Sequence, residues 1–378
     1  MNGAVGIVGG ASLIEGANIE LSVEETVFLT VRNALESSGL SRDQIDTVVQ
    51  CADDVLDGIS INHVYQVEAA GSYLKDESKV ERDGAWGAMY AVAKLLTGKF
   101  QTAMVVAYSK ASQVGYSAFS GMIADPFFLR PVGADGDSMA GLQAQYYMQT
   151  GATEKDFAAV AAKNRRQGLS NPRAMVGEGM DVSEDDILNS NPVAEPIREL
   201  STAHAGDGCV VLILATRDYI QSHGLQASYI RGLGFASDAY YPTFRKLSEI
   251  ASARVALEKA IIHAGVQPSD VDFAEVQEIY AHQEIMLYES LSLCGDSRGW
   301  DWSRKNRESD AISVNPSGGT LCSHVPYATG LMRIYEAHLQ IMEEAGPVQL
   351  KNADLALVHA QAGLAMQSNI VYFLEGDR

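Results

Sequence analysis

The stretch of this chain best equipped for chemistry is 315–330, where Asn315, Pro316, Ser317, Gly318 and Gly319 precede His324 and Tyr327. A short apolar run at 311–315 enters it and a periodic segment from Leu331 to Met342 leaves it, so it reads as strand, Gly-rich loop and helix. Glycines let a ligand come close to the backbone, and a helix start offers N–H groups to an anion or a carbonyl oxygen. His324 and Tyr327 are side chains that hold or move protons. A plain strand-to-helix turn with a buried Gly pair has the same composition, so the rest of the chain decides between the two.

With 378 residues, 47% of them hydrophobic, the chain can form two domains or one large fold of two similar halves. A formal charge of −20 excludes non-specific binding to nucleic acid. The basic patch Lys163, Asn164, Arg165 and Arg166 is still able to meet a phosphate-bearing ligand. The four cysteines, at 51, 209, 294 and 322, form neither a C-x-x-C nor a Cys/His cluster, so no metal site and no disulfide is expected. No window reaches the ~18 apolar residues of a membrane span, and the first residues look like a strand rather than a leader, so a cytoplasmic protein is expected.

The elements that would position the loop are alternating helices and strands. Ala4–Val8 reads as a buried strand, Val23–Ser38 as a helix capped by Ser22 and stopped at Gly39, and Thr47–Gln50 as a strand. Gly84–Leu96 reads as a helix with a small-residue start, Thr102–Ala107 as a strand, Ser109–Asp137 as loop-rich, and Ser138–Gln149 and Glu154–Gln167 as helices. Cys209–Ala215 is apolar throughout, as in a strand covered on both faces. Gly39–Asp46 aligns without gaps on Gly265–Asp272, 226 positions later, and each follows a helix and leads into a strand. The pattern is a duplicated α/β half, each roughly β-α-β-α-β-β.

These residues resemble the thiolase superfamily, in its sterol-carrier and lipid-transfer type. The likeness lies in Val80-Glu81 before the small-residue helix, in Lys163–Arg165 followed by Asn171-Pro172, and in Asp207-Gly208. It continues in Glu275–Tyr280 with Tyr288-Glu289 downstream, and in Asn315–Gly319. The resemblance implies an α/β fold of duplicated halves in five layers, α-β-α-β-α. The halves would be 1–222, with a loop insertion at about 109–200, and 223–378. It further implies a homodimer through the first half and acyl-CoA as ligand, a CoA thioester being substrate rather than a covalently bound cofactor. Gly84, Gly318, Gly319, Gly363 and Arg165 are the positions it marks for substrate or CoA.

The departures change the expected reaction. A thiolase needs a nucleophilic Cys at the start of the helix after Val-Glu, where a thiolate has a depressed pKa, and Gly84 stands there. Gln277-Glu278 replaces the family's His-Asp pair, with Tyr280 close behind. His324 keeps the family's His in a loop one residue shorter, Tyr327 falls on a Gly, and 359–363 carries His359 but no Cys. What remains resembles the aldolases that cleave steroid or bile-acid side chains. These split a β-hydroxyacyl-CoA into a ketone or aldehyde and a short acyl-CoA such as propionyl-CoA or acetyl-CoA, and associate with a small OB-fold, zinc-ribbon protein. On that reading Tyr280 and Tyr327 exchange protons if neighbours lower their pKa, His324 and His359 tune them, and Glu278 is a further catalytic candidate. The alternatives are a degenerate thiolase or acyltransferase subunit, and a non-catalytic acyl-CoA or lipid-binding scaffold.

Overall fold

The apolar run around Cys209–Ala215 is a central strand, as its composition requires, and its two faces serve two different cores. The structure, a computed structural model, describes residues 3–18, 20–175, 181–306 and 312–377. The first half contains β1 (Val5–Glu15), α1 (Val23–Ser38), β2 (Thr47–Cys51), α2 (Asp54–Asp57), β3 (Asp76–Val80), α3 (Gly84–Leu96) and β4 (Thr102–Lys110). An excursion follows with α4 (Tyr116–Met122), α5 (Gly136–Met148), α6 (Glu154–Gly168), α7 (Glu184–Asn189) and the ribbon β5 (Pro192–Ala194) and β6 (Ile197–Arg198). The chain then returns as β7 (Asp207–Thr216) and α8 (Arg217–His223). The second half contains β8 (Ser228–Ser237), α9 (Ala251–Ala264), β9 (Phe273–Val276), α10 (Ala281–Ser290), α11 (Gly299–Lys305), β10 (Ser313–Val314), α12 (Thr329–Ile341), β11 (Leu355–Ala362) and β12 (Ser368–Glu375). Ala311, in the short run before the Gly-rich loop, lies outside the described residues.

The strand order is β10-β9-β11-β12-β8-β1-β7-β4-β2-β3. Among the five strands that the first half gives to this sheet, β1 and β7 are antiparallel, β7 and β4 antiparallel, and β4, β2 and β3 parallel. The second five repeat the pattern: β8 and β12 antiparallel, β12 and β11 antiparallel, and β11, β9 and β10 parallel. The halves join where Gly6 and Ile7 pair with Tyr229 and Ser228. The repeated Asp has a repeated task. Asp46 accepts the N–H groups of Gln101 and Thr102 at the start of β4, and Asp272 accepts those of Asp354 and Leu355 at the start of β11.

Period-2 alternation sorts the side chains into layers. Val210, Leu212 and Leu214 of β7 share one core with α3, α12 and strands of the second half. Cys209, Val211 and Ile213 face α1 on the other side. In β12, Ile370, Tyr372 and Leu374 join the central core, while Val371 and Phe373 pack toward α9. The order is thus α1, first half-sheet, α3 with α12, second half-sheet, α9 with α10: five layers, with the equivalent helices α3 and α12 in the middle. Among the described residues no helix is long and apolar enough to cross a membrane.

Candidate active site

The parallel strands of both halves end at one cleft, the usual place for a ligand in an α/β sheet. The loop after β3 supplies Arg82 and Asp83, helix α4 Tyr116 and Phe119, and the turn after β9 Gln277 and Tyr280. The loop after β10 supplies His324 and Tyr327, and the end of β11 supplies Gln361 and Gly363. The cavity holds about 130 Å³, with Phe119, Ile123, Ile279 and Leu364 as its apolar wall. A second cavity of about 360 Å³ lies behind it and shares Tyr116, Ser120 and Tyr280 as a common wall.

The Gly-rich loop is a mount for these side chains and does not itself receive an anion. Its backbone donors are already used: Ser317 N–H reaches Glu275, Leu321 N–H reaches Glu278, and Gly319 N–H reaches Ser317 Oγ. Asn315, at φ 55°, accepts from Val276 N–H and donates to Glu278 and Glu284, to which Asn164 also donates. Arg333, fully buried on α12, binds Glu275 Oε2 at 2.7 Å, Ser317 Oγ at 2.7 Å and Ser323 Oγ. Burial pushes Glu275 up to about 7 and Glu278, beside Glu284, up to about 8.

Several expected site residues therefore serve the scaffold. Glu278 lies behind the loop rather than in the cleft, bound by two amides and a backbone N–H. Gly318 and Gly319, at φ 97° and 65°, are small because the backbone of Gly168 and the Glu278 carboxylate press against them. Arg165 is buried, with its guanidinium held by the carbonyls of Leu200 and Thr202, and is withdrawn from any CoA phosphate. His359 sits deeper in β11 than the cleft, bound through Nε2 to Asn369 at 2.8 Å; burial lowers it to about 4. Gln361, two residues on, is the β11 side chain that reaches the wall.

The cleft does bring His324, Tyr280, Tyr327 and Gly363 together. Thr329 Oγ1 donates to Val325 O at 2.7 Å, so it must accept from His324 Nδ1 at 2.9 Å. This fixes the proton on Nδ1 and leaves Nε2 as a bare acceptor, buried and without a protein partner. Burial, aided by His204, lowers His324 to about 3, so the ring stays neutral. Tyr280 donates to Asp137 at 2.7 Å and Tyr327 donates to Asp53. Burial and these carboxylates raise both phenols, correcting the expectation that neighbours lower them. Each phenol has spent its proton on a carboxylate and turns only lone pairs to a ligand. Tyr327 also occupies φ 67°, a conformation that favours glycine, where its carbonyl accepts the Gly84 N–H at 2.7 Å.

Gly84 lies outside the cleft lining. A Cβ there would stand 2.7 Å from the Cβ atoms of both Ala107 and Leu331, so this helix start has no room for a thiol. Gly84→Cys is expected to lose roughly 1–3 kcal/mol by overpacking and to gain no thiolytic activity. Chemical denaturation and a CoA-dependent cleavage assay check this, and a gain of thiolysis would show that the helix start can open. The residue that does face the cleft is its neighbour Asp83, an acid beside the position of the missing thiol; Tyr116 and Gln277, also on the wall, were not among the expected catalytic groups. Gln277 spends its Oε1 on Gln361 N–H, leaving its NH2 as the donor on that wall. Among the described residues no group of three or more His, Cys, Asp or Glu side chains is placed to hold a metal ion.

Residues 237–375 match the family model of the thiolase C-terminal domain. Sterol carrier protein 2 of Rattus norvegicus is 29% identical over 249 residues, 63% of this chain and 44% of that protein, so the chain matches less than half the length of that relative. An acetyl-CoA acetyltransferase of Methanocaldococcus jannaschii is 27% identical over 90% of each chain. Among solved structures, an Ltp2-ChsH2(DUF35) aldolase superposes with a TM-score of 0.84 at 23% identity, covering 100% of this chain and 99% of that one. Human mitochondrial 3-ketoacyl-CoA thiolase superposes with a TM-score of 0.76 at 13% identity, over 99% of each.

Proposed function

We propose that this chain, which matches the thiolase C-terminal domain-like model over residues 237–375 and is similar to sterol carrier protein 2, is a carbon–carbon lyase cleaving a β-hydroxyacyl-CoA by retro-aldol reaction. The observation that carries this reading is the pair of carboxylate-bound phenols flanking a cleft whose helix start excludes a thiol. Without a nucleophile, acyl transfer through the enzyme has no acceptor atom. Retro-aldol cleavage needs none. It needs a base for the β-hydroxyl, a donor for the thioester oxygen and an acid for the α-carbon.

Tyr280 with Asp137 suits the base. The phenol oxygen takes the hydroxyl proton while its own proton passes to Asp137, whose pKa is already raised by burial, so no free phenolate forms. The Cα–Cβ electrons then flow to the thioester oxygen, where the Gln277 NH2 is the donor at hand, and a ketone or aldehyde departs. The bare His324 Nε2 accepts a hydrogen bond from the substrate and fixes its position, and Tyr327 with Asp53 closes the opposite wall. The apolar wall supports a large hydrocarbon acyl group of steroid or bile-acid type, with propionyl-CoA or acetyl-CoA as the second product.

The same reading includes a homodimer through the first half and a small OB-fold, zinc-ribbon partner. Support for the dimer comes from β3, the last strand of the sheet, near which Ile61, Tyr65 and Leu74 are exposed. Support for the partner is the two-component name of the aldolase whose fold this chain shares, Ltp2-ChsH2(DUF35). The chain, alone and with such a partner, is expected to release a short acyl-CoA from a 17-hydroxy steroid side-chain CoA ester, read by mass spectrometry, with no free CoA added. Cleavage that requires free CoA would be thiolysis and would end this reading.

A further inference from the structure

The proposed reaction takes a proton from the β-hydroxyl and returns one to the α-carbon, yet both tyrosines have committed their protons to carboxylates and His324 has committed its Nδ1 proton to Thr329. Thr329 itself donates to Val325 O. The proton taken up in the first step rests at Asp137, which lines the second cavity and not this one, so the acid is sought elsewhere on the wall. Asp83 stands there, 6% exposed, between the N-termini of the two equivalent central helices. Its Oδ1 accepts Ala85 N–H of α3 and its Oδ2 accepts Gly330 N–H of α12, both at 2.8 Å. Two backbone donors hold the carboxyl in one orientation, and its remaining lone pair or proton is left for the cavity. The same cavity holds the unpartnered His324 Nε2, which marks it as a ligand site independently.

We propose that Asp83 is a catalytic residue, the acid that delivers a proton to the α-carbon after the bond to the β-carbon breaks. This rests on the retro-aldol reading. The step balances: the carboxyl O–H breaks, a C–H forms at the enolate α-carbon, the enolate electrons return to a thioester carbonyl, and Asp83 is left as carboxylate. When the short acyl-CoA leaves, Asp137 gives up to solvent the proton it gained in the first step, and solvent reprotonates Asp83. Burial pushes Asp83 up to about 7, against the N–H groups of Ala85, Gly330 and Leu331 that lower it, so both forms are populated near neutrality. The groups that face it are Arg333 from α12, which favours the carboxylate, and Cys51 from β2, Tyr116 from α4 and Tyr372 from β12, each of which feels its charge. Arg82 adjoins it in the chain, and Tyr327 and His324 complete the lining.

The test follows exchange of the α-protons of propionyl-CoA in D2O beside cleavage of a β-hydroxyacyl-CoA, with the full chain alone and with its partner. Asp83→Asn is expected to lower both rates by at least ~100-fold with KM little changed. Asp83→Ser, which keeps a cap for Ala85 N–H, should do the same, and Asp43→Asn, at an exposed acid outside the cleft, should not. The wild-type cleavage rate should fall as pH rises through about 7, where the acid form is lost, and this limb should vanish from the residual activity of Asp83→Asn. Folded Asp83 variants that exchange and cleave like wild type would overturn the role while leaving the lyase reading intact. Wild-type exchange that depends on Asp83 without any cleavage would sink the lyase reading and keep Asp83 as the α-carbon acid. A wild type that does neither removes both.

Discussion

Tyr280→Phe is expected to slow carbon–carbon cleavage by roughly 10²–10⁴-fold while KM stays within a few-fold. The substitution keeps the ring that walls both cavities and removes only the oxygen that links the substrate hydroxyl to Asp137. The loss belongs to the chemical step, so kcat and kcat/KM should fall together. Asp137 also loses the hydrogen bond that lowers its pKa, so any residual activity should shift its acid limb to higher pH. Steady-state release of the short acyl-CoA, measured across pH, decides the matter. If Tyr280→Phe keeps more than a tenth of the wild-type rate, Tyr280 is a wall residue and the base lies elsewhere.

The largest expected effect on stability comes from the mount. Arg333→Met removes the cation between Glu275, Ser317 and Ser323, and a buried charge left without its partner costs roughly 3–5 kcal/mol. The penalty should depend on pH in a defined direction. Glu275 is held at about 7 in the folded protein, above the ordinary carboxylate range of the unfolded chain. A raised carboxyl favours folding most below its unfolded pKa and progressively less as pH rises toward its folded pKa. Removing Arg333 raises the folded value further, which extends that decline to more alkaline pH. The deficit of the variant should therefore grow from pH 5 to pH 8 in denaturant titrations. A deficit independent of pH would mean that Glu275 is neutral in the wild type as well.

The duplicated half was legible because its signals are local: Gly39 and Gly265 end helices at φ 68°, and Asp46 and Asp272 bind the N–H groups that start β4 and β11. The edge strand β3 was missed because Asp76–Val80 is polar on both faces, as an exposed sheet edge permits. In the site, the family resemblance pointed to His324, Tyr280 and Tyr327, which share the cleft, but could not show which atoms their protons serve. Glu278 and Arg165 looked reactive as residue types, yet long-range partners such as Asn164, Asn315 and Leu200 had already claimed them. His359 and Gln361 lie two residues apart on one strand, and only depth separates them. Asp83 offered a weak signal, an acid beside the missing nucleophile. Its importance rests on the meeting of α3 and α12 from opposite halves of the chain, which no local pattern displays.

The hydrogen bond from Gly84 N–H to the Tyr327 carbonyl has an evolutionary consequence. To recover a nucleophilic thiol at this helix start, a descendant would have to change Gly84, make space between Ala107 and Leu331, and release a backbone donor now held by a tyrosine at φ 67°. Each step alone strains the fold without completing a thiol site, so no single substitution at this helix start is enough to make one.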